Sequence, residues 1–117
     1  MPFFLHQVSY TPEAIARLIA NPQDRLEAVR GPIEKLGGKI KDSYFAFGEH
    51  DVIVITEMPD NVSAAAIALA FAGGGAVRVG KTTPLMTAAE AMDAMRKAAT
   101  CGYKSITASA SAAAARP

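Results

Sequence analysis

The chain has 117 residues, half of them apolar, with twelve basic and eleven acidic side chains and a net charge of +1. That length suits one domain around one core, and the evenly spread charge lacks the basic footprint that nucleic acid requires. The single cysteine, Cys101, excludes an internal disulfide and points to a reducing compartment. With neither a signal-peptide pattern nor an apolar run long enough to span a bilayer, a cytoplasmic protein without a membrane partner is expected.

Pro2 to Tyr10 reads as a strand. Alternation places Phe4, His6, Val8 and Tyr10 on one side and Phe3, Leu5, Gln7 and Ser9 on the other. Apolar residues occur on both sides, so both faces are expected to be at least partly covered. Thr11-Pro12-Glu13 starts a helix, with Thr11 as cap and Pro12 at its first position. Ile15, Leu18 and Ile19 follow at helical spacing. Asn21-Pro22 interrupts, and Asn21 is a candidate cap for a second piece whose stripe is Leu26, Val29, Ile33 and Leu36. Gly31-Pro32 predicts a kink within it, and Gly37-Gly38 its end.

Lys39 to Phe47 reads as the second strand, with Ile40, Asp42, Tyr44 and Ala46 on one face. A short connection leads to the third, Asp51 to Met58, whose run Val52-Ile53-Val54-Ile55 marks a central strand buried on both sides. The brevity of the connection makes the pair an antiparallel hairpin. Asp60 or Asn61 caps the next helix, whose predicted packing stripe is Val62, Ala65, Ala66, Leu69 and Ala70. Gly73-Gly74-Gly75 ends it. Ala76 to Thr83 reads as a fourth strand, with Val77 and Val79 on one face and Pro84 barring further pairing. Thr87 with Glu90 has capping-box spacing and opens a helix to Ala99. Residues 1–99 are therefore assigned to the domain and 100–117 to an Ala- and Ser-rich tail.

This order predicts an α+β, ferredoxin-like βαββαβ sandwich: a four-stranded antiparallel sheet, helices on one face, and an extra C-terminal helix. Its inner strands are the first and third, the two most apolar in the sequence. The plan leaves one sheet face open, and an apolar open face calls for a partner. A homo-oligomer of the dimeric α/β-barrel type is expected, face to face.

The stretch Gly48 to Asp60 joins a turn, an apolar strand and a helix start. It resembles the GYD-domain family, small bacterial proteins of largely unknown function, named for a Gly-Tyr-Asp-like turn before an apolar strand. Gly48, His50 and Asp51 occupy that turn, with His50 in the place of the tyrosine. Arg25-Leu26-Glu27-Ala28, Glu34 to Lys39, Glu57 to Asp60 and Val77 to Thr83 extend the resemblance over roughly residues 2 to 85. The resemblance implies a ferredoxin-like fold and an oligomer, and no established reaction.

His50 lies between Glu49 and Asp51, but neighbours on a strand point to opposite faces, so Asp51 is not expected to hold the imidazole. The ligand-binding candidates are His6, Tyr10, Tyr44, His50 and Asp51, which would line a pocket if their side of the sheet is the open one. The histidines are 44 residues apart, without metal-ligand spacing, and neither metal nor cofactor is expected. The glycine run follows a helix instead of leading into one, so it makes no phosphate cradle. No catalytic signature appears. A non-catalytic oligomeric binding or structural module is expected; the alternative is a small-ligand-binding protein or cofactor-free enzyme with a pocket on the open sheet face.

Overall fold

Alternation of burial over the first six residues of β1 (Phe3–Tyr10) sets the layers of the molecule: Phe4, His6 and Val8 are buried while Phe3, Leu5 and Gln7 are half-exposed. The computed structural model describes residues 1–106. They fall into two compact units that divide between Leu85 and Met86, and each is taken by itself. In the first unit, β1 lies beside β3 (Val52–Glu57), flanked by β2 (Lys39–Phe45) and β4 (Val77–Leu85), in the order β2-β3-β1-β4 with every pairing antiparallel. This α+β arrangement has the strand order of the expected ferredoxin-like plan, and the two most apolar strands are inside.

Two helices connect β1 to β2. Thr11 caps α1 (Pro12–Ala20) by accepting the Ala14 N–H, with Pro12 in the first turn. The cap of α2 (Arg25–Lys35) is Asp24, which accepts the Glu27 N–H at 3.0 Å; Asn21 instead closes α1. The predicted stripe of α2 holds: Ile33 is fully buried, and Leu26, Val29 and Leu36 pack partly buried against the core. Asp60 caps α3 (Asn61–Gly73). Phe4, Ile33, Met58, Ala64 and Ile67 form one core cluster and Val8, Val52 and Val54 a second, so α2 and α3 cover the same sheet face.

Four details differ from expectation. The stripe of α3 is Ala64, Ile67 and Phe71, whereas Val62 and Leu69 are 78% and 72% exposed. That helix carries no charge and is apolar on every side, so its sequence holds no phase to read. In β2 the register shifts between Ile40, opposite Thr56, and Asp42, opposite Ile55. This bulge puts Ile40 on the helix side and Asp42 and Tyr44 on the other, splitting a set that simple alternation had placed together. A second shift lies between Ser9 and Tyr10, where three β4 residues oppose two of β1. It sends Val77 into the core opposite Tyr10 and leaves Val79 opposite Ser9, 39% exposed. β4 also continues through Pro84 to Leu85. It is an edge strand, where a proline nitrogen facing away from the ladder loses no bond.

In the second unit, α4 (Ala88–Ala99) has the expected capping box: the Glu90 N–H donates to Thr87 Oγ1 and the Thr87 N–H to Glu90 Oε1. Thr100 closes the helix. No helix of the described residues is long and apolar enough to cross a membrane. The expected tail lies outside the described residues from position 107 onward.

The turn after α2 uses its two glycines differently. Gly37 has a φ of 85°, the left-handed value that closes a helix. Gly38 is buried, and a Cβ there would sit 2.7 Å from the Glu57 carbonyl oxygen and against the Met58 sulfur. Replacing Gly38→Ala is expected to lower unfolding stability by about 1–3 kcal/mol through overpacking. Gly73→Ala, with nothing within 4 Å, is the control and should leave stability unchanged or slightly higher. Denaturant midpoints of the two variants test the contrast.

Candidate functional site

The residues between β2 and β3 are tied to the end of β1 by four interactions. The Asp51 N–H donates to the Val8 carbonyl and Asp51 Oδ2 accepts the Tyr10 N–H, both at 2.8 Å. Ser9 Oγ donates to the Glu49 carbonyl at 2.9 Å and lies 3.1 Å from His50 Nδ1. A serine has one hydroxyl proton. With that proton directed at Glu49, Ser9 accepts from His50, which assigns the imidazole proton to Nδ1. His50 is buried in this role. As expected, Asp51 does not hold it; both residues serve to seat the connection against β1.

His6 is 1% exposed and points from the middle of the sheet toward the helices. Its Nε2 lies 3.0 Å from Thr56 Oγ1 on β3 and its Nδ1 3.1 Å from Thr82 Oγ1 on β4. A neutral imidazole needs one donor and one acceptor, and a hydroxyl can be either, so the two threonines satisfy it completely. Phe71 packs edge-to-face on the ring, with centroids 6.3 Å apart. Burial pushes the His6 pKa down, favouring the neutral ring.

One turn of strand further, β1 presents Tyr10 to a cavity of ≈ 180 Å³ between the sheet, α2 and the end of α3. Val8, Leu26, Val29, Val52, Val54, Phe71 and Val77 supply its apolar walls, and Tyr10 and Arg25 are the two polar side chains on its lining. Burial raises the Tyr10 pKa, the adjacent Arg25 guanidinium opposes that rise and the Asp51 carboxylate adds to it. The phenol therefore keeps its proton at neutral pH. A smaller cavity of ≈ 90 Å³ adjoins through Val8, Phe71 and Val77 and reaches His6, Lys81 and Thr82.

The five residues singled out from the sequence are thus distributed. His6 and Tyr10 share the helix-covered side, where both cavities lie, whereas the pocket expected from the sequence was on the uncovered side. Tyr44, opposite Ile53, is on the other face and 59% exposed. His50 and Asp51 brace the connection. Arg25 escaped notice as a site residue because on its own helix it reads as a solvated charge; its place in the Arg25-Leu26-Glu27-Ala28 stretch of the resemblance was the available signal. Thr56, Thr82 and Phe71 carry no signal of their own, since they meet His6 only through strand and helix packing. Among the described residues, no three His, Cys, Asp or Glu side chains gather as a metal set.

The family model of the GYD domain matches residues 4–95, which bears out the resemblance seen around Gly48 to Asp60. No curated protein matches the chain.

The lowered pKa of His6 fixes the sign of a pH effect. Its contribution is fully present above the unfolded-state value of 6.5 and is lost as pH falls from there through the lower folded value. Wild-type protein should lose more thermal stability between pH 7.5 and pH 5.5 than His6→Asn, in melting curves at matched ionic strength. Equal losses would show that the histidine is not held neutral.

Proposed function

The chain belongs to the GYD domain family, and we propose that it is a homo-oligomeric, non-catalytic module that binds a small, mainly apolar molecule in the cavity between its sheet and its helices. The observation that carries this reading is the ≈ 180 Å³ cavity inside the first unit, walled by apolar side chains except for Tyr10 and Arg25. Ligand sites commonly have this make-up, an apolar body with a few polar groups that fix orientation. An apolar cavity of about 150 Å³ stays dry and admits a benzene-sized guest, so this one suits a single ring with a small substituent. Both nitrogens of His6 are engaged by threonines, which leaves it no free lone pair for acid-base work and favours binding over catalysis.

The assembly half of the reading rests on the other sheet face. Phe3, Leu5, Ile53, Ile55 and Leu85 lie there half-covered, with Tyr44 beside them. A second copy placed face to face, in the dimeric α/β-barrel manner, would cover this apolar surface. The exposed thiol of Cys101 suits a reducing compartment, so the module is assigned to the cytoplasm.

Two measurements test the halves separately. Sedimentation velocity should show an oligomer for the wild type and a slower, still folded species for Ile55→Lys; a monomeric wild type at micromolar concentration overturns the assembly. Titration of ¹³C-methyl-labelled protein with benzyl alcohol should shift the Val8, Val54 and Val77 methyls, and Leu26→Trp, which fills the space, should abolish the shifts. Absent or scattered shifts overturn the cavity.

A further inference from the structure

Given a guest in the larger cavity, its polar lining restricts what that guest can be. Twelve residues line the space, and all but two are apolar residues or glycine. The two exceptions, Tyr10 and Arg25, stand side by side. They reach the space from different elements, Tyr10 from the end of β1 and Arg25 from the first turn of α2. Their proximity is therefore a product of the fold and not of sequence adjacency.

Both present donors. A guanidinium has five N–H groups and no acceptor. The phenol keeps its proton because burial raises its pKa. Arg25 donates to the neutral side chain of Gln23 at 3.3 Å and hydrogen-bonds the Tyr10 phenol, and no carboxylate lies within ion-pair distance of it among the described residues. Arg30 and Arg96, by contrast, are each paired with an acid of their own helix. Arg25 is also half-buried, where a charge is screened less than on the open surface. Two adjacent donors, one of them cationic, at the edge of an apolar space make a receptor for an acceptor-only, negatively charged group. A planar carboxylate fits the forked guanidinium best.

The carboxylate whose field acts on Tyr10 is Asp51. Its Oδ2 accepts the Tyr10 backbone N–H at 2.8 Å, and it forms no ion pair with the guanidinium. A cationic guest would face Arg25 directly, and a wholly apolar one would leave the two donors to water. The volume limits the apolar part to about one six-membered ring, on the scale of the ~150 Å³ cavity that holds benzene. Phe71 and the valines around it form a wall suited to the face or edge of such a ring.

We infer that the cavity receives a single-ring carboxylate, with the carboxylate held by Arg25 and the Tyr10 hydroxyl and the ring seated among Val8, Leu26, Val54 and Phe71. This rests on the cavity reading above and adds to it the charge and size of the ligand. It requires no chemical step.

The test uses the full chain at pH 7.5 and two probes of nearly equal size, benzoate and benzyl alcohol, titrated by calorimetry and by methyl NMR. Benzoate should bind the wild type about 10-fold more tightly than benzyl alcohol, the scale of one charge-assisted contact. Arg25→Gln should remove that preference, weakening benzoate about 10-fold and benzyl alcohol much less. Tyr10→Phe should weaken benzoate selectively and by less. If both probes bind the wild type equally and Arg25→Gln changes neither, the carboxylate inference falls while the cavity reading stands. If neither probe shifts the Val8 and Val54 methyls, both fall together. Loss of the preference on raising salt to about 0.15 M would mark a loose, screened surface attraction and would also overturn the inference.

Discussion

The position of Asp51 between two bonds to β1 governs the site. Its amide donates to the Val8 carbonyl and its carboxylate accepts the Tyr10 amide, so one residue grips the strand on both sides of Ser9. The grip falls where the β1–β4 register shifts, at Ser9 and Tyr10. A bulge strengthens twist and leaves ladder bonds irregular, and a charged acceptor on a backbone N–H is among the stronger ways to restore order there. With the backbone of Tyr10 held, its ring is delivered to the rim of the cavity beside Arg25. His50, bonded through Nδ1 to Ser9, finishes the same anchorage. The turn by which the family is named therefore works in this protein as a clamp, and it acts on the site through Tyr10 without touching the cavity itself.

The rest of the helix-covered face follows from two ways of treating polar groups under a helix layer. At His6, burial is made tolerable by two hydroxyls, each able to donate or accept, and by a neutral ring. Removing a partner from such a group would leave a buried polar atom unsatisfied, which typically costs about 1–3 kcal/mol. At Tyr10 and Arg25 the polar groups stay at the edge of an apolar space, where they remain available. The first treatment produces a buried group with both ring nitrogens bonded, and the second leaves two polar side chains on the lining of an apolar cavity. The two sit four strand positions apart, each two from Val8, and the Phe71 ring that touches His6 lines both cavities.

Much of this architecture could be read from the sequence, and the failures have physical causes. The stripe of α2 is legible because Glu27, Arg30 and Glu34 mark its wet side. The stripe of α3 was not, because a run of alanines with Val62, Ile67, Leu69 and Phe71 has no wet side to mark. The side-sharing of Phe4, His6, Val8 and Tyr10 was legible, since it needs only the two-residue period of a strand. Tyr44 was misplaced beside Ile40 because a bulge adds a residue and reverses every side chain beyond it.

The sequence by itself determined the order of elements, the caps of α1 and α4, the two inner strands and the family. Each of these depends on local chemistry: a Thr able to accept an amide, a glycine able to take positive φ, an unbroken apolar run. Only the tertiary structure decided which face of the sheet the helices cover, and with it whether His6 and Tyr10 face a core or a partner. Alternation defines two faces without naming them. The choice is made by Ile33, Ile67 and Phe71, which reach β1 from α2 and α3. Their arrival also brings Arg25 to Tyr10, which no spacing along the chain encodes.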